Sequence, residues 1–93
     1  MSYLSIRQYV LRYINKGDFM KYRIRDLRED RDLKQREVAE YLLCDQSLYS
    51  KYERGERPVP VDILNKLADF YSTSVDYLIG RTDQKEPYPK SKR

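Results

Sequence analysis

Residues 34–55 read KQREVAEYLLCDQSLYSKYERG, and the reading of this stretch decides the fold. Val38, Ala39, Leu42 and Leu43 recur at helical spacing after Lys34 and Gln35, so a helix opens there with these four facing inward. It stops before Asp45, a residue suited to cap the next one. From Asp45 to Arg54, Leu48, Tyr49 and Tyr52 fall on one side and Gln46, Ser47, Ser50 and Lys51 on the other. Gly55 stands where a helix commonly ends in a left-handed residue. The stretch therefore predicts two short helices with a tight joint, the second having an apolar back and a polar front.

Outward from this pair the same periodicity continues. Lys21 to Arg31 carries Ile24 and Leu27, with Leu33 just beyond, among charges that pair at helical spacing. Downstream, Pro58 and Pro60 break the chain, and Val61 to Tyr71 forms a helix burying Ile63, Leu64, Leu67, Ala68 and Tyr71. Ser72, Thr73 and Ser74 supply the next turn and cap, and Val75 to Ile79 is a last short helix ended by Gly80. No internal repeat and no strand-like alternation occurs, so the expected class is all-α, with five helices in residues 20–80.

Two flanks remain. Residues 1–19 place Tyr3, Ile6, Tyr9, Val10, Tyr13 and Ile14 at helical spacing, with Arg7, Gln8 and Arg12 between them and Gly17-Asp18 closing the segment. This amphipathic helix has two uses open to it, packing on the core or on a second subunit; alternatively Met20 is the true start and residues 1–19 are an extension. Residues 81–93 are almost devoid of apolar side chains and are expected to form a mobile, disordered polar tail.

With 93 residues the chain fits one domain, and a separate ligand-sensing domain is not expected. The net charge of +4 is unevenly placed: residues 1–19 carry +2, residues 20–80 carry −1 and residues 81–93 carry +3. Any argument for a polyanionic partner must therefore rest on the position of charges and not on the total. The single Cys44 cannot form an internal disulfide, which fits a reducing cytosol, and it reads as a packing residue with redox sensing as the alternative. No window reaches the ~20 apolar residues of a membrane span and the start of the chain is interrupted by Ser5, Arg7, Gln8 and Arg12, so a soluble cytoplasmic protein with no membrane partner is expected.

Taken in order, several signatures agree: the framework of Ile24, Leu27, Arg28 and Leu33; Gln35 with Val38-Ala39 and Leu42; SKYERG at 50–55; and Leu64, Leu67-Ala68 and VDYLIG at 75–80. Through them the 58 residues from Arg23 to Gly80 resemble the helix-turn-helix family of lambda repressor and Cro, also called the Xre family. Ala39 lies where the second helix must let the third cross closely, which a small side chain permits. The resemblance implies that Arg28 pairs with Glu53, tying helix one to the end of helix three. It implies that helix three enters the major groove of double-stranded DNA with Gln46, Ser47, Ser50 and Lys51 toward the base edges. Those residue types can do it: Gln matches the donor and acceptor of adenine, Lys donates to guanine, and Ser serves either.

The resemblance also makes Gln35 a phosphate contact, assisted by Lys34 from the same corner, with Arg54 and Arg57 flanking the duplex. It places a homodimer contact on the last helix around Val75, Tyr77 and Leu78; core packing is the rival use of those three residues. The sequence departs from the family pattern at three places. Leu43 stands where a turn-tolerant residue is usual, Lys34 where a Ser or Thr cap is usual, and Val61 where some relatives point a basic side chain toward the minor groove.

Enzyme chemistry finds no footing. The chain has no His, its lone Cys has no base to partner it, and no Gly-rich phosphate loop is present. A metal site fails for the same want of ligands, and neither a cofactor nor a small-molecule substrate is expected. The expected function is sequence-specific DNA binding by a dimeric transcriptional repressor, with a protein-interaction module such as an antitoxin, built on the same fold, as the competing reading.

Overall fold

The computed structural model describes residues 22–91; the amphipathic segment expected over residues 3–14, and the question of Met20, lie outside them. Among the described residues are five helices and no strand: α1 (Ile24–Asp30), α2 (Gln35–Leu42), α3 (Gln46–Arg54), α4 (Val61–Phe70) and α5 (Val75–Leu78). Each lies within the span expected from apolar periodicity, trimmed by one to three residues at its ends.

One core serves all five. Ile24 and Leu27 of α1, Val38, Ala39 and Leu42 of α2, Tyr49 and Tyr52 of α3, and Leu64, Leu67 and Ala68 of α4 are buried together with Tyr71 and Leu78. Leu48 and Ile63 pack at its edge, half-buried. Ala39, 2% exposed, sits on the face of α2 against which α3 packs, as its small side chain requires. Burial of these side chains, at roughly 25 cal/mol per Å² of apolar surface, is the main force holding the helices together, because elements this short are marginal alone.

The helix ends share one solution. After each helix a residue takes the left-handed conformation: Asp32 (φ 54°), Leu43 (59°), Gly55 (73°), Ser72 (52°) and Gly80 (85°). In every case the amide of the next residue reaches back five positions. The bonds are Leu33 N–H to Arg28 C=O, Cys44 to Ala39, Glu56 to Lys51, Thr73 to Ala68 and Arg81 to Asp76, at 2.8–3.1 Å. These are Schellman closures, which satisfy carbonyls that a helix otherwise leaves unpaired. Only two of the five use glycine.

Leu43 corrects the expectation that it faces inward. It is 87% exposed, because the left-handed turn between α2 and α3 swings its side chain out of the apolar stripe. The helix starts vary more. Ser74 caps α5 by accepting from the Tyr77 N–H at 3.0 Å. Asp45 occupies the cap position of α3 without a side-chain bond, and at α2 the Glu37 carboxylate accepts from the Lys34 N–H at 2.9 Å. Lys34, having no acceptor of its own, leaves the capping to Glu37.

The domain closes on itself where the Arg23 N–H donates to the Leu78 carbonyl at 2.9 Å. Residues 81–91 carry no helix or strand and bury no apolar side chain, yet they touch the domain through polar anchors. Among the described residues no helix is long and apolar enough to cross a membrane.

Candidate nucleic-acid interface

Helix α3 is held from behind. Tyr49, wholly buried, and Tyr52 anchor the inner face of α3, and Glu53 on the same side is 3% exposed. A carboxylate at that depth needs partners, and it has them. Arg28 of α1 clasps it in a fork, Nε to Oε2 at 2.6 Å and Nη2 to Oε1 at 3.1 Å, while Nη1 donates to the Leu33 carbonyl at 2.8 Å. Gln35 of α2 adds a third bond, Nε2 to Oε1 at 3.0 Å. One buried carboxylate therefore joins α1, α2 and the end of α3, and the two-pronged geometry fixes orientation as well as distance.

Burial by itself pushes the Glu53 carboxyl up, but the hydrogen bonds from Arg28 and Gln35, with a contribution from the nearby Tyr49 hydroxyl, outweigh it and hold it below its usual range. The Glu53 bond in turn raises Arg28. The Tyr49 and Tyr71 hydroxyls lie buried beside this cluster without reaching hydrogen-bond geometry. Burial first, then the Glu53 charge, raises both phenols, Tyr71 to about 12.

The front of α3 presents Gln46 and Ser47 exposed in the first turn, with Ser50 and Lys51, half-buried, one turn on. The four lie on one side of the helix, as the sequence implied. Ser50 accepts a short hydrogen bond from Arg54, which is also paired with Glu56. That pairing raises Arg54 and lowers Glu56. Of the four residues expected at phosphates, Lys34 and Arg57 are exposed and make no ion pair with another described residue. Arg54 already has an anion beside it, and Gln35 spends one amide hydrogen on Glu53. A cleft of about 460 Å³ opens next to this edge of α3, bordered by Arg25, Arg28, Gln35, Ser50, Glu53, Arg54 and Glu56.

Two contributions were not legible beforehand: the bond of Gln35 to Glu53 and the neutralising role of Glu56. The first depends on how α2 crosses α3, which no local pattern encodes; the second is a contact between residues two apart, set by the turn that closes α3. Leu78 needs correcting as a dimer residue. It is wholly buried in the domain's own core and cannot face a partner, whereas Val75 and Tyr77 beside it are half-buried. Cys44, half-buried, has its thiol pushed up by burial and then by Asp45, so it stays a neutral packing group at physiological pH.

A tight left-handed joint between two short helices, the second braced by a buried ion pair and showing a polar outer face, defines the helix-turn-helix class. The family profile described as "Helix-turn-helix" matches residues 24–78, and the chain belongs to this family, of the lambda repressor and Xre type, whose members are non-enzymatic DNA-binding proteins. It is 39% identical over 71 residues to the uncharacterized HTH-type transcriptional regulator YobD of Bacillus subtilis (strain 168), a match covering 76% of this chain and 62% of that protein. It is 36% identical over 61 residues to the cryptic phage CTXphi transcriptional repressor RstR of Vibrio cholerae, covering 66% of this chain and 55% of the relative. The HTH-type transcriptional regulator ImmR of Bacillus subtilis matches at 36% over 61 residues, 66% of this chain and 48% of the relative. The chain thus spans between about half and three-fifths of the length of these relatives. No solved structure gives a significant match.

Proposed function

We propose that the chain is a sequence-specific DNA-binding transcriptional regulator, acting as a repressor by covering a promoter as a homodimer on a palindromic operator. The observation that carries this reading is the outer face of α3, exposed and polar over Gln46 and Ser47 while Tyr49, Tyr52 and Glu53 hold the opposite face rigid. In this proposal Gln46, Ser47, Ser50 and Lys51 meet base edges in the major groove. Lys34, Gln35, Arg54 and Arg57 contact phosphates, with Arg54 exchanging Glu56 for the backbone. Val75 and Tyr77 supply the dimer contact. A single short helix reads only a few base pairs, so two copies on half-sites about one helical turn apart are needed for useful specificity. The relatives named as transcriptional regulators, one of them a phage repressor, support the regulatory role.

Selection of bound duplexes from a random pool at a stated salt concentration tests the proposal, and an emergent palindrome is the expected result. Gln46→Ala and Lys51→Ala should each cost about 1 to 3 kcal/mol in affinity for the selected site and relax the preference at the base each one reads. No enriched sequence, or a double variant with undiminished binding and regulation, would leave a protein-interaction role on the same fold as the surviving account.

A further inference from the structure

We propose that residues 82–90 form a strap occupying, in cis, the surface of α5 through which a second copy of this chain docks, so that dimerisation requires the strap to leave. This rests on the reading of α5 as the dimer contact. The strap engages both flanks of the helix. On one flank the Arg23 guanidinium lies 4.4 Å from the centre of the Tyr77 ring and donates to the Tyr77 carbonyl at 3.2 Å. Two further hydrogens go to the strap, to the Thr82 carbonyl at 2.7 Å and the Asp83 carboxylate at 2.7 Å. The strap thereby pins the cation that covers the Tyr77 ring.

On the other flank the Tyr88 hydroxyl donates to the Asp76 carboxylate at 2.9 Å, and the Thr73 hydroxyl donates to the Lys85 carbonyl at 2.6 Å. The Lys90 ammonium stands 3.8 Å from Asp69. Between this part of the strap and α4–α5 a cavity of about 520 Å³ remains, with Ala68 and Val75 in its wall and Pro87 and Tyr88 across from them. The strap therefore bridges this recess without filling it, leaving Ala68 and Val75, among the polar Asn65, Asp69 and Ser74, under a space wide enough for water.

Two of its anchors are weak ones. The Asp83 and Lys90 side chains are 96% and 87% exposed, and ion pairs so open to water hold little. Gly80, left-handed and with nothing within 4 Å of where a Cβ would stand, gives the strap an unencumbered pivot. A surface held by its own chain through polar contacts, several of them exposed, over a recess left unfilled, suits exchange for a second copy.

The test is the dimer dissociation constant by analytical ultracentrifugation, comparing the full chain with its Asp83→Ala, Tyr88→Ala, Lys90→Ala triple variant, folding of both being checked by circular dichroism. Loss of three weak competing contacts should tighten dimerisation about tenfold. An unchanged constant overturns the proposal, and so does a weaker dimer, which would make the strap part of the interface. Val75→Asp, added to each protein, separates the two layers of the argument. If it abolishes dimerisation while the triple variant matches the unaltered chain, only the strap is disproved. If it leaves the dimers intact, the dimer contact lies elsewhere than α5 and both ideas fall.

Discussion

Glu53 is the residue on which the arrangement of the first three helices turns. Its side chain is 2% exposed and that of Arg28 14%, so the carboxylate has no water to fall back on and the guanidinium only a little. Glu53→Gln keeps the shape and removes the charge, stranding the Arg28 guanidinium. Equilibrium unfolding in urea should show a loss of about 2 to 3 kcal/mol, below the cost of breaking a fully buried pair because Arg28 keeps some solvent. The same residue predicts an acid response. The native carboxyl titrates below the ordinary 4.5 of the unfolded chain, so its contribution is complete above that pH and is lost as pH falls from about 4.5 through the native value. The Glu53→Gln protein should lose less stability than the unaltered chain across that interval. Equal losses would show that the ion pair does not govern the acid limb. This pair was inferable only by resemblance, since residues 25 positions apart carry no local sign of meeting.

At the scale of the element, the helix ends are more informative than the helix bodies. Apolar spacing located all five helices because each must turn a stripe of Leu, Ile, Val or Tyr toward one core, and that requirement is written locally. The closures were legible at Gly55 and Gly80, where glycine announces a left-handed residue, and illegible at Asp32 and Ser72. At Leu43 the departure from the usual residue was visible, but not that the side chain would turn outward. A leucine in this conformation costs about 1 to 2 kcal/mol relative to an unstrained backbone, and it gains no burial in return. Leu43→Asn should therefore raise stability by about 0.5 to 1 kcal/mol, since asparagine tolerates the turn without the chain freedom of glycine. Leu43→Val, β-branched, should lower it by a similar amount. Thermal melts of the two variants shifting in the same direction would contradict the left-handed turn. A gain in stability with a loss of DNA affinity would show instead that the exposed leucine is retained for binding.

For the whole molecule, the core carries an alkaline weakness. Tyr49 and Tyr71 are buried, and both phenols are raised above the ordinary 10, Tyr71 to about 12. Their neutral form is the one the folded state keeps. The stability they supply is intact below pH 10 and is withdrawn as pH climbs beyond it, where the unfolded chain ionises and the native one resists. Of the 10 tyrosines in the chain, these two should form phenolate only together with the loss of helical circular dichroism, while the exposed Tyr88 titrates within the folded protein. Full phenolate absorbance in a protein that remains helical would mean that the two hydroxyls have access to water.

The bond between the Arg23 amide and the Leu78 carbonyl has a topological consequence. The polypeptide begins and finishes its circuit of the core at neighbouring points, so the folded path is nearly a ring. The two ends of the helical circuit thus stand at a single pole, so a strain applied between Arg23 and Leu78 would be borne by that one hydrogen bond before it reached any helix.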